Sequence, residues 1–480
     1  MSQPGFEKRG LKTATDFEIV EEKAVRKTKV ILMASAVAVL MTGAAWAKSP
    51  ADQVARLGKD LTPMGSERAG SPDGMIPAWD GGLSAPPSGI KFDPKTDNLP
   101  NPFPGDAVKF TVTGSNMGEY DKYLTDGYKA LLKKYSDYKM KVYQSRRTCA
   151  LPEYAYAAIK ANAANATLSA DGDGIGNFVV GMPFPIPNNA MELIMDKRFS
   201  YRGYKATRQF AAAPVQSNGS YNLISVQDEA IFRYANPAVK SSDQLNNIGL
   251  HYIANTIAPA RLAGNVILVH ESINSAVEPR KAWAYSPGTR RVRRAPDIAY
   301  DNPGTNTDAM STSDAFDGFN GALDRYTWTL KDRQIKFIAY NSYDILHTKY
   351  ADMVKPAHLN QDVIRYEPHR VHVVEANLKA GTRHIYARRV MYLDEDAKVV
   401  NSAENYDGRG QLWRVQEIPL VNAYHVPHCG TGAMEVVYDV LSGRYLALSM
   451  RAEEPPVNYF ADELNEARYT PEAIRTLGVR

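Results

Sequence analysis

Side chains that could bind a metal ion are spread along this chain of 480 residues. The run "ADGDGIGN" begins like a calcium-binding loop with Asp171 and Asp173, but Ile175 and Met182 stand where further oxygen ligands are required. The run "HESIN" starts at His270 and lacks the second histidine of a metalloprotease helix. We therefore expect neither a calcium loop nor a zinc-protease helix.

Other histidines stand close together in the sequence. His369 and His372 are three residues apart, and on a strand this spacing sends their side chains to opposite faces. His425 and His428 precede Cys429, which gives a second candidate metal group. Neither group has a recognised ligand spacing, and the chain has no Gly-x-Ser-x-Gly motif of a serine hydrolase. We predict no metal, no cofactor, no catalytic residue and a protein that is not an enzyme.

The chain has two cysteines, Cys149 and Cys429. In an oxidising compartment they could form a disulfide, which would close a long loop and contribute roughly 5 kcal/mol in the chain-entropy model. The alternative is two buried free thiols that never meet. The residues alone leave both alternatives open.

Four arginines occupy five positions in "TRRVRRAP", namely Arg290, Arg291, Arg293 and Arg294. They follow a Pro-Gly turn after "KAWAYS", which predicts a β-hairpin with the arginines divided between its two faces. A nucleic-acid platform would hold them on one face among stacking aromatic rings, so we predict no nucleic-acid partner. The remaining alternatives are solvated arginines paired with carboxylates, or contacts to an anionic head group or an acidic partner. The net charge of +4 favours no class of partner.

Aromatic residues are dense on the predicted strands. Most belong in a core, but a curved sheet with excess aromatic surface could hold an apolar ligand in a cavity. The candidate ligand-binding residues are Trp283, Tyr285, Tyr326, Trp328, Tyr392 and Trp413.

The N-terminal segment has the pattern of a secretory signal peptide. Residues 26–29 are basic, residues 30–41 are apolar or small, and Ala45-Trp46-Ala47 resembles a cleavage site. The apolar run is shorter than the roughly 20 residues that a membrane-spanning helix needs. We predict cleavage after Ala47, a periplasmic mature protein, and no integral membrane segment.

The remaining sequence predicts a mainly β protein. Residues 48–175 are interpreted as an extended arm and helices that pack on the core, residues 176–455 as an antiparallel sheet, and residues 456–480 as a partly helical tail. Turn residues predict hairpins around Lys379-Ala380-Gly381 and Ser442-Gly443, and another around Lys331-Asp332. The segment "SSDQLNNIGLHYIANTIAP" is predicted to be a helix that interrupts the strands.

Several long segments resemble one known family. They include "LTPMGSERAGSPDGMIPAWDGG", "GMPFPIPNNAMELIMDKRFSYRG", "AWAYSPGTRRVRRAP" and "RYEPHRVHVVEANLKAGTRHIYARRVMYLDED". In order along the chain, they resemble the exported bacterial family called domain of unknown function 1329. The resemblance extends from about residue 60 to residue 450.

This resemblance implies a periplasmic protein of Gram-negative bacteria, similar to outer-membrane lipoprotein-sorting proteins of the LolA/LolB superfamily. The implied fold is a curved antiparallel half-barrel closed by helices, with an apolar concave face. The implied function is a carrier or chaperone for a hydrophobic or lipid-like ligand that works with a resistance-nodulation-division transport system. The alternative is a structural docking subunit of a transporter or outer-membrane complex, without a ligand of its own.

Overall fold

An extended arm begins the part of the chain that the structure describes. The structure is a computed structural model that describes residues 48–295 and 300–478. The predicted signal peptide and its cleavage site after Ala47 lie outside the described residues. From residue 48 to residue 109 the arm contains the short helix α1 (Ala51–Val54) and isolated β-bridges.

The other helices are short and lie outside the strand-rich segments. They are α2 (Asp126–Lys134), α3 (Glu153–Asn165), α4 (Ala190–Arg198), α5 (Tyr350–Met353) and α6 (Pro471–Gly478). The Thr125 side chain caps α2 by accepting a hydrogen bond from the Tyr128 backbone N–H. Asn189 caps α4 in the same way through the Glu192 N–H. Helix α3 begins directly after Pro152, whose fixed φ is compatible with the start of a helix.

Most of the protein is β-strand. The strands before the central segment are β1 (Phe110–Thr113), β2 (Lys139–Val142), β3 (Thr167–Leu168) and β4 (Ile175–Gly176). The central strands are β5 (Lys205–Val215), β6 (Ile224–Phe232), β7 (Ile248–Ala258), β8 (Val266–Ser272), β9 (Lys281–Ser286), β10 (Arg291–Arg294) and β11 (Tyr326–Ala339). The last strands are β12 (Tyr366–Leu378), β13 (Arg388–Asp394), β14 (Val400–Tyr406), β15 (Leu412–Glu417), β16 (Leu420–Ala423), β17 (His428–Gly432), β18 (Glu435–Asp439) and β19 (Tyr445–Met450).

Fifteen of these strands form one sheet. Its order is β1-β2-β12-β13-β14-β15-β18-β19-β5-β6-β7-β8-β9-β10, and β11 also pairs with β12. The pairs are antiparallel except for the parallel contact between β2 and β12. Among the described residues, the terminal strands β1 and β10 are not paired with each other, so the sheet is open. The predicted mainly β, antiparallel fold is confirmed.

Antiparallel pairing of β19 with β5 joins the two halves of the sheet. Strands β5 to β10 follow one another in both sequence and space, so they form a meander of neighbouring strands. The predicted hairpin of the arginine cluster is confirmed as β9 and β10, with Arg290 in the left-handed conformation at the turn (φ 53°). The hairpins β12–β13 and β18–β19 are also confirmed.

The predicted helix within "SSDQLNNIGLHYIANTIAP" is wrong. The structure has only a short 3-10 turn at Ser242–Leu245, and then strand β7. Asn246 and Asn247 both adopt positive φ, which ends the turn and starts the strand. Strand β7 pairs with β6 on one side and β8 on the other, so long-range hydrogen bonds override the local helical pattern.

The predicted hairpin at Lys331-Asp332 is also wrong. One continuous strand, β11, runs from Tyr326 to Ala339, and its pairing with β12 shifts between Lys331 and Gln334. A bulge absorbs the extra residues without reversing the chain. The dipeptide lacks the glycine or asparagine that supplies positive φ in two-residue hairpin turns.

Candidate functional site

Two adjacent cavities lie on one face of strands β5 to β8. We call them the charged cavity, of about 190 Å³, and the apolar cavity, of about 210 Å³. Both are bounded by Leu250, Tyr252, Glu271, Phe316 and Asn320. These five residues border both cavities, so the two cavities lie next to each other.

The alternation of side chains along the strands builds this face. On β7, Leu250, Tyr252 and Ala254 line the cavities. His251 and Ile253 belong to the opposite face, where Ile253 packs in a separate core near α6. The same alternation on β6 and β8 places every second side chain on the cavity face.

The apolar cavity has a floor of aliphatic and aromatic side chains from the sheet. These are Phe210, Val226, Leu250, Ala254, Ile267, Val269 and Leu448. Its other wall is formed by residues 304–307, 311–313 and 316. Phe316 remains 37% exposed, so a large apolar side chain stands at the boundary between the cavity and solvent.

The charged cavity contains a cross-strand ion pair. Arg208 on β5 lies directly opposite Asp228 on β6, and Arg208 Nη2 is 2.5 Å from Asp228 Oδ2. The Tyr252 hydroxyl donates a hydrogen bond of 3.0 Å to the same carboxylate oxygen. These three groups satisfy one another inside the sheet face.

A second group of charges lies where α4 meets the segment that carries Asp317. Asp317 Oδ2 is 2.9 Å from Lys197 Nζ and 2.6 Å from Arg202 Nη2. Burial would raise the pKa of Asp317, but the two cations outweigh burial and lower the pKa to about 2. Burial raises the pKa of the neighbouring Glu435 to about 7. Asp317 is thus ionised at neutral pH, and Glu435 is close to its titration point.

Two further polar residues line the charged cavity without a charged partner among the described residues. Arg451 is 5% exposed, and its Nη2 donates to the backbone oxygens of Gly432 (2.9 Å) and Ala433 (3.3 Å). Its Nε is buried and has no hydrogen-bond partner among the described residues. His428 is 1% exposed, and its Nδ1 lies 3.2 Å from Thr431 Oγ1. Its Nε2 is buried and has no partner in the part of the chain that the structure describes.

None of the six predicted aromatic residues lines either cavity. Tyr285 is buried on the opposite face of the sheet in the core that includes Ile474 of α6, and Trp283 packs at its edge. Trp283 also contacts Arg294, whose guanidinium lies 5.8 Å from the ring centroid. The sequence predicted the hairpin that carries these two residues. It did not indicate which face of the sheet packs against a core and which face borders a cavity.

Three of the other four aromatic residues lie in or beside the core on the other half of the sheet. Tyr326 and Tyr392 are buried, and Trp328 packs against the same core. The Tyr326 hydroxyl donates to the Tyr386 backbone oxygen (2.8 Å), and Trp328 Nε1 donates to the Leu323 oxygen (2.9 Å). Nε1 of the sixth residue, Trp413, donates to Asp439 Oδ2 (2.8 Å). The structure does not bring the six together.

The remaining predicted residues lie outside the cavities. Arg290, Arg291, Arg293 and Arg294 are exposed on the β9–β10 hairpin at one edge of the sheet. Cys149 and Cys429 are joined by a disulfide, with their Cα atoms 4.9 Å apart. The described residues contain no group of three or more His, Cys, Asp or Glu side chains that could hold a metal ion. In the same ranges, no helix has both the length and the apolar character required to cross a membrane.

Sequence reasoning missed Arg208, Asp228 and Arg451, and considered His428 only as a metal ligand. One signal was present in the sequence. Arg208 is two residues from Phe210, and Asp228 is two residues from Val226, so each charge shares a strand face with an apolar residue. A charged residue on the apolar face of a strand indicates either an ion pair or a polar site. The register that pairs the two charges could not be read from the sequence.

Comparison with known proteins gives the following similarities. The model of the family described as "Protein of unknown function (DUF1329)" matches residues 111–475. An uncharacterized protein of Pseudomonas aeruginosa is 44% identical over 460 residues, which cover 95% of this chain and 100% of that protein.

Solved structures are similar at low sequence identity. A domain from Vibrio parahaemolyticus, described as an outer membrane lipoprotein-sorting protein domain, is 12% identical, covers 59% of this chain and 97% of that chain, and has a TM-score of 0.41. A DUF1329 family protein from Desulfovibrio piger is 14% identical, with coverage of 57% and 92% and a TM-score of 0.38. A LolA superfamily protein from Nitrosomonas europaea is 12% identical, with coverage of 59% and 98% and a TM-score of 0.36.

Proposed function

Since this chain belongs to the DUF1329 family of proteins of unknown function, we propose a function from its cavities: it is a non-enzymatic carrier or chaperone for a hydrophobic or lipid-like ligand. The ligand lies along the cavity face of β5 to β8. The observation that carries this proposal is the apolar cavity of about 210 Å³, whose floor is made of side chains from several adjacent strands.

The size and chemistry of the apolar cavity support this assignment. An apolar cavity of about 150 Å³ is large enough to bind a molecule such as benzene. Each methylene group transferred from water into such a site contributes about 0.8 kcal/mol. Affinity is therefore expected to increase with the length of the apolar chain until the cavities are full.

The polar groups of the neighbouring cavity support binding rather than catalysis. Arg208, Asp228 and Tyr252 bond to one another, and Asp317 bonds to Lys197 and Arg202. Such mutual pairing fixes the cavity wall and leaves no paired nucleophile and general base among these residues.

We further propose that the carrier acts in the periplasm and exchanges its ligand with an envelope transport system of the resistance-nodulation-division type. The leader-like pattern in residues 26–47 supports export. The transport partner is proposed from the family resemblance of the sequence.

The first experiment identifies the ligand. The mature protein is purified from periplasm without detergent and extracted with organic solvent, and the extract is compared with a mock purification by mass spectrometry. A hydrophobic molecule present in stoichiometric amount is the expected result and identifies the ligand class. An empty extract, together with no binding of fluorescent fatty-acid probes, contradicts the carrier function.

A cavity-filling substitution links binding to the site. Ala254→Phe places a ring in the apolar cavity, while Ala351→Phe makes the same change at an exposed position of α5 that lines neither cavity. We expect Ala254→Phe to weaken probe binding by about tenfold, because the ring takes the space of about two methylene groups of the ligand. Ala351→Phe is expected to leave the affinity unchanged. Equal effects of the two variants contradict the proposed location.

The docking-subunit alternative is favoured by one feature, the exposed arginine hairpin at the sheet edge. Edge strands present unpaired backbone groups to a partner, and Arg291 and Arg293 would complement an acidic surface. A stable complex that survives purification without a bound small molecule, and that is lost in Arg291→Gln/Arg293→Gln, would replace the carrier function with this one.

A further inference from the structure

We infer that the charged cavity binds the oxyanion head group of an amphiphilic ligand through Arg451 and His428, while the apolar chain of that ligand occupies the apolar cavity. This inference rests on the proposed carrier function and specifies the chemistry of its ligand. It predicts that the head group contributes to affinity separately from the chain.

The first argument is the state of Arg451. A guanidinium group buried to this extent usually has a carboxylate partner, because an unpaired charge in a protein interior is unfavourable. Among the described residues, no carboxylate lies within ion-pair distance of Arg451, and its Nη2 donates to the backbone oxygens of Gly432 and Ala433. Its buried Nε has no acceptor among the same residues. An oxyanion in the cavity would supply the counter-charge that Arg451 lacks.

The second argument is the balance of charge on the cavity walls. Two charges in the wall of the charged cavity are neutralised by partners that do not line that cavity. Arg198 pairs with Asp173 at 2.8 Å, and Glu271 pairs with Arg280 at 2.5 Å. The Arg208–Asp228 pair also cancels.

The remaining charges leave a positive excess. Lys197 and Arg202 share Asp317, and even an ionised Glu435 only completes the neutrality of that group. Arg451 is therefore the excess positive charge in the wall. A cavity with a fixed positive excess attracts an anion more strongly than a neutral polar group.

The third argument is the unpartnered nitrogen of His428. Burial lowers the pKa of His428 to about 3, so the ring is neutral near pH 7 and one of its nitrogens carries a proton. If the Thr431 hydroxyl donates to Nδ1, the proton is on Nε2, which has no acceptor among the described residues. His428 and Arg451 both line the charged cavity, so both side chains border the space that the oxyanion would occupy.

Tyr459 lies beside His428 in the wall of the charged cavity. Its ring packs against His428, with centroids 4.9 Å apart, and it lines the same cavity as Arg451. A ring packed against His428 reduces the hydration of the imidazole. Reduced hydration strengthens a charge-assisted hydrogen bond to the ligand.

The test compares ligands that share a chain and differ in the head group. Affinities of the full-length mature protein for dodecanoate, dodecyl phosphate and dodecanol are measured at neutral pH by displacement of a fluorescent naphthylamine probe. We expect the preferred anion to bind at least about tenfold more tightly than dodecanol, as for a charge-assisted hydrogen bond. The ratio between the two anions identifies a carboxylate or a phosphate head group.

A matched pair of variants assigns the preference to Arg451. Arg451→Gln removes the charge but keeps an N–H donor for the backbone oxygens, and Arg293→Gln removes the same charge on the exposed hairpin. We expect Arg451→Gln to abolish the preference for the anion over dodecanol, and Arg293→Gln to preserve that preference. Arg451→Lys is expected to restore part of the preference. Equal losses in Arg451→Gln and Arg293→Gln would overturn the inference.

The outcomes for the unmodified protein separate this inference from the proposed function. If dodecanoate, dodecyl phosphate and dodecanol bind equally, the head-group inference is overturned and the carrier function stands. If none of the three ligands binds, the carrier function itself is contradicted. These comparisons do not depend on the folding of any variant.

Discussion

At the scale of single residues, the protein pairs many of its buried charged side chains with one another. His369 lies between Glu367 and Asp394, with Nε2–Oε2 and Nδ1–Oδ1 distances that are both 3.2 Å. Glu367 in turn lies 2.5 Å from Arg365 Nε. All four side chains are almost completely buried. Removing one member would leave its partner charged and desolvated, which is the costly situation in a protein interior.

The pKa of His369 predicts a pH dependence of stability. Burial alone would lower this pKa, but the hydrogen bonds and charges of Asp394 and Glu367 outweigh burial and raise it to about 9. A raised pKa in the folded state means that the stabilisation is complete below the unfolded value of about 6.5 and is lost as the pH rises through 9. We expect the wild-type free energy of unfolding to fall by on the order of 2 kcal/mol between pH 6 and pH 9.5, measured by urea denaturation.

Two variants test the assignment to this residue. His369→Gln is expected to be less stable than the wild type at pH 6. Its free energy of unfolding should also fall much less than that of the wild type between pH 6 and pH 9.5. His347→Gln makes the same substitution at an exposed position and should behave like the wild type. If His369→Gln retains the full pH dependence, another group is responsible.

At the scale of secondary-structure elements, the disulfide anchors the segment after β2 to strand β17. Cys149 and Cys429 are 280 residues apart in sequence, so their bond connects distant parts of the chain. The N-terminal arm also contacts this point, since Trp79 Nε1 donates to the Cys149 oxygen (2.9 Å). Gly82 adopts φ 72°, and a Cβ there would lie 2.2 Å from the same oxygen. The close approach of the arm therefore requires glycine at this position.

Removal of the disulfide is expected to lower the free energy of unfolding. Restricting a loop of this length in the unfolded chain stabilises the native state by roughly 3–5 kcal/mol. The double variant Cys149→Ala/Cys429→Ala should therefore unfold at a lower urea concentration than the oxidised wild type. A reducing agent should shift the wild-type midpoint in the same direction and leave the double variant unchanged. Identical midpoints for the oxidised wild type and the double variant would contradict the expected contribution.

At the scale of the whole molecule, one sheet connects the segments on both sides of the cavities. Strand β19, the last strand of the chain, pairs with β5, the first strand of the meander β5 to β10. Arg451 directly follows β19, so this pairing brings it to the same cavity as Arg208 on β5. The candidate site therefore depends on long-range closure of the chain and not on any local motif.

The processed chain is predicted to start at Lys48. The residues before it have the basic, apolar and small-residue pattern of a signal peptide. N-terminal sequencing of the protein isolated from periplasm should therefore begin with Lys-Ser-Pro. Retention of residues 1–47, or recovery of the protein only in the cytoplasmic fraction, would contradict the export proposal.

The sequence by itself determined the features that depend on neighbouring residues. Gly443 and Gly381 mark loops between paired strands, Pro152 precedes α3, and the alternation of apolar residues gave the mainly β class. These features follow from backbone preferences and side-chain periodicity over a few residues. The cysteines could be identified as candidates for a disulfide, but their bond could not be distinguished from two separate thiols.

Only the tertiary structure decided which strands pair and which sheet face encloses a cavity. Strand β7 forms against a local helical pattern because β6 and β8 satisfy its backbone hydrogen bonds. Tyr326 and Tyr392 are core residues, whereas Arg451 and His428 reach a cavity, because covering elements from distant parts of the chain decide what each face contacts. Strand periodicity assigns a side chain to one of two faces, but only packing determines whether that face meets core, ligand or solvent.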